Sequence, residues 1–132
     1  MAKLECYSVI VPNKPGKGAL VLNAFKEAGV NFIGIWGYPV GKTRSRIDLV
    51  AEDPAALKKA AKQLKIELGP KQAVFHVTGE DRPGAVAELL DKLAAKDVNV
   101  YAAQALCAGA GRFGALIQVD PAGAAKAGKI LV

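Results

Sequence analysis

The sequence is poor in the residues on which most small-protein chemistry depends. Its 132 residues include two cysteines, one histidine and one tryptophan. Cys6 and Cys107 are too few for a disulfide framework, and neither has a neighbouring ligand at metal-site spacing. Both lie in strand-like runs, where a cysteine is expected as a small buried hydrophobe, reduced in the cytoplasm. With His76 alone, a metal site has no second histidine to draw on. Neither thiol has the base and orienting group that nucleophilic catalysis needs. No pair of acids recurs at catalytic spacing, so no enzyme is expected, and no metal or cofactor. No apolar run reaches the roughly 20 residues of a membrane span. Met1-Ala2-Lys3-Leu4-Glu5 lacks the basic start and apolar stretch of a secretory signal, so export is not expected.

What is present is apolar and mildly basic: 52% hydrophobic residues and a formal charge of +6. Much of that charge is Lys58, Lys59, Lys62 and Lys65, at the outward positions of a predicted helix. A solvated face accounts for it, and neither nucleic acid nor membrane is implied as a partner.

The organising feature is a repeat. Asn13-Lys14-Pro15-Gly16, followed by Val30-Asn31, returns as Asp81-Arg82-Pro83-Gly84 and Val98-Asn99, each position displaced by 68. Units of this size bury little surface alone, so mutual or intermolecular support is expected. The expected units are residues 1–70 and 71–132.

Within the first unit, Tyr7, Val9 and Val11 alternate on a strand. Pro12 to Gly16 then turns the chain, because prolines and glycine cannot continue a ladder. Gly18, Val21, Leu22 and Phe25 follow at helical spacing up to Gly29. Phe32 to Trp36 and Thr43 to Ala51 read as a hairpin. Asp53-Pro54 is a helix start, and Leu57, Ala60, Ala61 and Leu64 form that helix's stripe. Lys65 to Leu68 is expected as a short fourth strand. The second unit repeats the order, with Ala73 to Thr78, a helix carrying Val86, Leu89, Leu90 and Leu93, and a hairpin of Val100 to Cys107 and Arg112 to Val119. Asp120-Pro121 restarts a short helix, and Ile130-Leu131-Val132 is expected as a terminal strand. The class is α+β, with antiparallel sheets and helices on one face. Phe32 to Trp36 and Val100 to Ala103 are apolar on both parities, so a second sheet or chain is expected over part of the other face.

Two motifs imitate nucleotide sites. Gly109-Ala110-Gly111-Arg112-Phe113-Gly114 matches G-x-G-x-x-G, but a strand follows it where a dinucleotide fold needs a helix. Gly41-Lys42-Thr43 likewise joins two strands. Arg44, Arg46 and Arg112 share the face away from the helices, where they could pair with acids or hold an anion. An RNA-binding reading would pair them with Trp36, Tyr38 and Tyr101, yet the motif of such domains is missing.

A strand, Asn/Asp-x-Pro-Gly, a helix and Val-Asn before a second strand resembles the ACT domain. Asp81-Arg82-Pro83-Gly84-Ala85-Val86 and Val98 to Gln104 carry the closer likeness; Asn13-Lys14-Pro15-Gly16 and Val30-Asn31 carry the weaker one. The resemblance spans nearly the whole chain and is closest to small stand-alone proteins of two tandem ACT domains. It implies two ferredoxin-like βαββαβ domains, paired side by side, and a non-catalytic regulatory role in which an amino acid binds where one domain's first loop meets a neighbouring domain. It also implies a homo-oligomer, most simply a dimer, and a partner enzyme as the regulated target.

The ligand-binding positions it implies are Asn13, Pro15, Gly16 and Asn31, and Asp81, Pro83, Gly84 and Asn99. Serine-sensing members add a histidine two residues before the loop Asn. Val11 and Gly79 stand there, so serine is not implied. The chemistry agrees: a Pro-Gly turn entering a helix offers N–H groups and a positive helix end to a carboxylate. Asp81 would meet an ammonium with a full charge, Asn13 with none. The alternatives are that these loops serve only folding, with Asn13 or Asp81 capping the next helix, and that the protein is a structural or interaction module without a ligand.

Overall fold

The computed structural model describes residues 1–131. The chain separates into two compact units, Glu5–Lys71 and Gln72–Val132, the latter joined by Met1–Leu4. The first contains β1 (Ala2–Pro12, from Glu5 onward), α1 (Lys17–Glu27), β2 (Phe32–Val40), β3 (Arg44–Ala51) and α2 (Pro54–Leu64). The second contains β4 (Gln72–Glu80), α3 (Ala85–Ala95), β5 (Val100–Cys107), β6 (Arg112–Val119), a 3-10 turn at Pro121–Gly123 and α4 (Ala124–Ile130).

In the first unit β3 lies between β1 and β2, antiparallel to both. In the second, β6 holds the same place between β4 and β5. The displacement of 68 survives at the level of single pairs. Tyr7 opposite Leu49 becomes Phe75 opposite Ile117. Even the irregularity repeats, between Phe32 and Gly34 and again between Val100 and Ala102.

Alternation builds each core. Tyr7, Val9 and Val11 on β1 and Ile47, Leu49 and Ala51 on β3 pack with Val21 and Phe25 of α1 and Leu57, Ala60 and Ala61 of α2. Both helices therefore cover one face. The second core repeats this with Phe75, Val77, Ala115, Ile117, Leu93 and Ala127. Helix α1 stops at Gly29, φ 77°, where Val30 N–H donates to the Phe25 carbonyl. At the equivalent stop after α3, Asp97 adopts φ 58° while Val98 N–H bonds Leu93.

Two expected strands do not form. Helix α2 ends at Lys65 in the left-handed region, and the chain runs irregularly with Ile66 and Leu68 against the core. Only Gly69 N–H reaches the β1 backbone, at 2.8 Å from the Ser8 carbonyl. At the other end Ile130 is the last residue of α4, and Leu131 N–H bonds the Ala127 carbonyl. Alanine and lysine hold that segment helical against the β-preference of one isoleucine; Val132 lies outside the described residues. Each unit is thus β-α-β-β-α, without the fourth strand of the expected βαββαβ order.

On the face away from the helices, Cys6, Asp48 and Val50 are nevertheless buried. Arg46 Nε donates to Asp48 Oδ1 at 2.9 Å. Burial, and next the Asp48 charge, push the Cys6 thiol up to about 11. Cys107, expected to be buried, is exposed. It closes an outer strand just before the Gly109–Gly111 turn, where no element lies over it.

Candidate functional site

Each Pro-Gly loop is tied to the start of the neighbouring inner strand. Asn13 N–H donates to the Thr43 carbonyl at 2.9 Å, and Asp81 N–H to the Gly111 carbonyl at 2.8 Å. Gly16 and Gly84 then open α1 and α3 with φ 85° and 84°, a conformation that favours glycine. A β-carbon at either position would meet no atom within 4 Å, so the space above the main chain is open.

Neither helix start has a side-chain cap. Asn13 and Asp81 are therefore not helix caps, which removes one folding role for them. The contrast lies within the same chain. Asp53 accepts from Ala55 and Ala56 N–H at 3.0 and 3.4 Å, and Asp120 from Ala122 N–H at 3.0 Å. The Asp-Pro starts carry side-chain caps, whereas at the Pro-Gly starts the first N–H bonds only the loop main chain, Lys17 to the Lys14 carbonyl at 3.3 Å and Ala85 to the Arg82 carbonyl at 3.2 Å.

The two units commit their polar side chains differently. Ser45 Oγ donates to Asn13 Oδ1 at 3.0 Å, and Asn31 Nδ2 donates to Glu52 at 2.9 Å. In the second unit Phe113 replaces Ser45 and gives Asp81 no hydroxyl. Asp120 replaces Glu52, but its carboxylate serves the helix start. Asp81 and Asn99 side chains have no hydrogen-bonding partner among the described residues. Only their backbones are anchored, Asp120 N–H to the Asn99 carbonyl at 3.0 Å.

All eight positions are exposed. Asn13, Pro15 and Gly16 share one loop, as do Asp81, Pro83 and Gly84. Asn31 is not with them. Asn13 sits beside Ser45 and Asn31 beside Glu52, seven residues along, which is roughly 23 Å of strand. Asn99 stands away from Asp81 in the same way. Within one unit the loop and the Val-Asn pair mark opposite ends of the sheet.

A further difference lies at the second loop. Arg82 grips Glu88 through two bonds of 2.8 and 2.6 Å. The hydrogen bonds and charge of Arg82 hold the Glu88 carboxyl below its ordinary range. The corresponding residues of the first unit, Lys14 and Leu20, cannot make this pair. Ser45, Glu52 and Phe113 are site neighbours that sequence reasoning missed. Comparing Ser45 with Phe113, and Glu52-Asp53 with Asp120-Pro121, carried the signal.

No protein-family profile and no curated protein sequence matches the chain. Solved structures do. A protein from Bacteroides thetaiotaomicron superposes with a TM-score of 0.85 at 18% identity, covering 98% of this chain and 86% of that one. The ligand-free regulatory subunit of aspartate kinase from Thermus thermophilus gives 0.65 at 19%, covering 98% and 89%. That from Thermus flavus gives 0.60 at 19%, covering 98% and 90%. The fold is ACT-like, of the ferredoxin type seen in those regulatory subunits. Among the described residues no helix is long and apolar enough to cross a membrane.

Proposed function

We propose that the chain is a non-catalytic regulatory protein of two tandem ACT domains, residues 1–70 and 71–132, that senses an amino acid in the cytoplasm. The observation that carries this reading is the pair of glycine-opened helix starts at Gly16 and Gly84, without a side-chain cap and with open space above the main chain. The likeness of fold to aspartate kinase regulatory subunits supports it. Backbone N–H groups and the positive helix end receive the ligand carboxylate. Asp81 or Asn13 orients its ammonium. A ligand that also touches Asn31 or Asn99 takes that residue from a second copy, so the protein works as a homo-oligomer, most simply a dimer. Binding shifts its association with a partner enzyme through differential affinity.

The second unit contributes the more available side chains. Its Asp81 and Asn99 side chains are uncommitted, whereas Asn13 and Asn31 already bond Ser45 and Glu52. Those two bonds also favour the competing reading, in which the first unit at least is an interaction module whose loop serves folding.

Thermal unfolding with each of the twenty amino acids at millimolar concentration tests the proposal. A ligand at 100 times its Kd stabilises by about 2.7 kcal/mol. One or two hits establish the sensor and name its ligand; a flat panel leaves the interaction module.

A further inference from the structure

The repeat acts as an internal control on charge. In the first unit, residues 12–20 and 40–45 meet at one end of the sheet: Asn13 N–H bonds the Thr43 carbonyl at 2.9 Å, and Arg44 lies opposite both Pro12 and Val40. That end carries Lys14, Lys17, Lys42 and Arg44, and no acid. The matching end of the second unit, residues 80–88 and 108–113, carries Arg82 and Arg112 with three acids, Glu80, Asp81 and Glu88. One end is four charges positive and its equivalent one charge negative. Pairing differs as well. Arg82 is gripped by Glu88, while Arg112 lies opposite Glu80 and donates to Thr78 Oγ1 at 3.4 Å. The four cations of the first unit are exposed, and among the described residues none has an ion pair or a side-chain hydrogen bond. Beside them, Leu20 stands where the second unit has Glu88 and is 69% exposed, and Val40, opposite Arg44, is exposed too.

We infer that this end of the first unit is a docking surface for an acidic stretch of a partner protein. Lys14, Lys17, Lys42 and Arg44 take its carboxylates, and Leu20 and Val40 take its apolar side chains. Charge complementarity selects the occupant. Unpaired like charges repel one another, and a bound acidic segment removes that cost. A second copy, itself of net charge +6, would add to it. A nucleic acid would satisfy the cations but has little use for two exposed aliphatic side chains. The lysines of α2 are a different case: lysine recurs on the equivalent helix of the second unit, as Lys126 and Lys129, which fits a solvated face common to both. The inference takes from the proposed function only that a partner protein is bound. It assigns that partner to the unit whose Asn13 and Asn31 are already committed to Ser45 and Glu52.

The probe is a short fluorescein-labelled peptide of interspersed glutamate and leucine, titrated with the whole chain at low salt and followed by anisotropy. A single-stranded oligonucleotide of equal charge is the rival. The peptide should bind wild type more tightly than the oligonucleotide does, and added salt should weaken it. The Lys17→Glu/Lys42→Glu variant should lose about tenfold or more in affinity. Both positions are exposed, and glutamate at Lys17 suits the start of α1, so this variant keeps its fold. Lys62→Glu, on the exposed side of α2, is the control and should match wild type. Absence of peptide binding at low salt overturns the inference. So does an equal loss in Lys62→Glu, or tighter binding of the oligonucleotide. The amino-acid panel, run on wild type and the double variant, separates the two readings. Hits that persist in the variant while peptide binding is lost support both. A flat wild-type panel beside the expected peptide result overturns the sensor and leaves this surface standing.

Discussion

Asn31 donates its side-chain amide to Glu52 at 2.9 Å, holding the start of β2 against the end of β3. The same backbone link exists between Asn99 and Asp120, without the side-chain bond. The two sets of candidate residues should therefore fail in different ways when removed.

Asn31→Ala, Glu52→Ala and their double variant should show a coupling of about 0.5–1 kcal/mol in chemical denaturation, as for an exposed hydrogen bond. Asp81→Ala and Asn99→Ala should leave unliganded stability within about 0.5 kcal/mol and reduce the stabilisation by the amino acid that scores in the panel. Full retention of that stabilisation by both would remove these residues from the site.

The helix starts give a second contrast. Asp53→Ala removes a cap that satisfies two N–H groups and should cost about 1 kcal/mol. Gly84→Ala meets no steric obstacle, yet it places a β-carbon at φ 84° and should also cost about 1 kcal/mol. If Gly84→Ala proved neutral by urea titration, the left-handed start of α3 would be wrong.

Asp97 offers the reverse case. It holds φ 58° where the first unit uses Gly29. Asp97→Gly should raise stability by about 0.5–1 kcal/mol, because glycine enters the left-handed region freely. The midpoint of thermal unfolding, compared at one pH, reads this directly.

The thiols separate cleanly. Cys107 should react with a thiol reagent in the native protein and Cys6 only on unfolding, since one is exposed and the other buried. The folded Cys6 thiol titrates near 11, against an ordinary 9.0. The unfolded thiol ionises first, so this contribution is complete below pH 9.0 and declines as pH rises towards 11. Wild type should lose more stability than Cys6→Ala across that window. Equal losses would show that the thiol is not desolvated.

Much of the fold was legible because its signals are local. Alternation placed β1, β3, β4 and β6, and helical spacing placed α1 and α3. The Asp-Pro pairs gave the starts of α2 and the final helical segment. The fourth strands failed because Lys65 to Leu68 and Ile130-Leu131 are too short for periodicity to outweigh context. Cys107 failed because parity says nothing about what lies over a strand. Asn13 and Asn31 have equal sequence signatures but stand at opposite ends of one sheet, and that separation is a property of topology. The hold of Ser45 and Glu52 on them crosses 32 and 21 residues of chain, beyond any local pattern.

The repeated register also burdens the folding reaction. To a newly made chain, β3 and β6 are near-equivalent partners for β1 or β4, since every pairing recurs at the same spacing. On the helix side the choice is weakly marked: Tyr7 and Phe75 would each accept Leu49 or Ile117. The other side discriminates. Misplaced against β4, β3 would set Asp48 opposite His76 instead of Ser8, in a half whose own strand carries Leu116 there. The buried Asp48, where the second half carries Leu116, is thus the point at which two otherwise similar hairpins differ most at the strand they join.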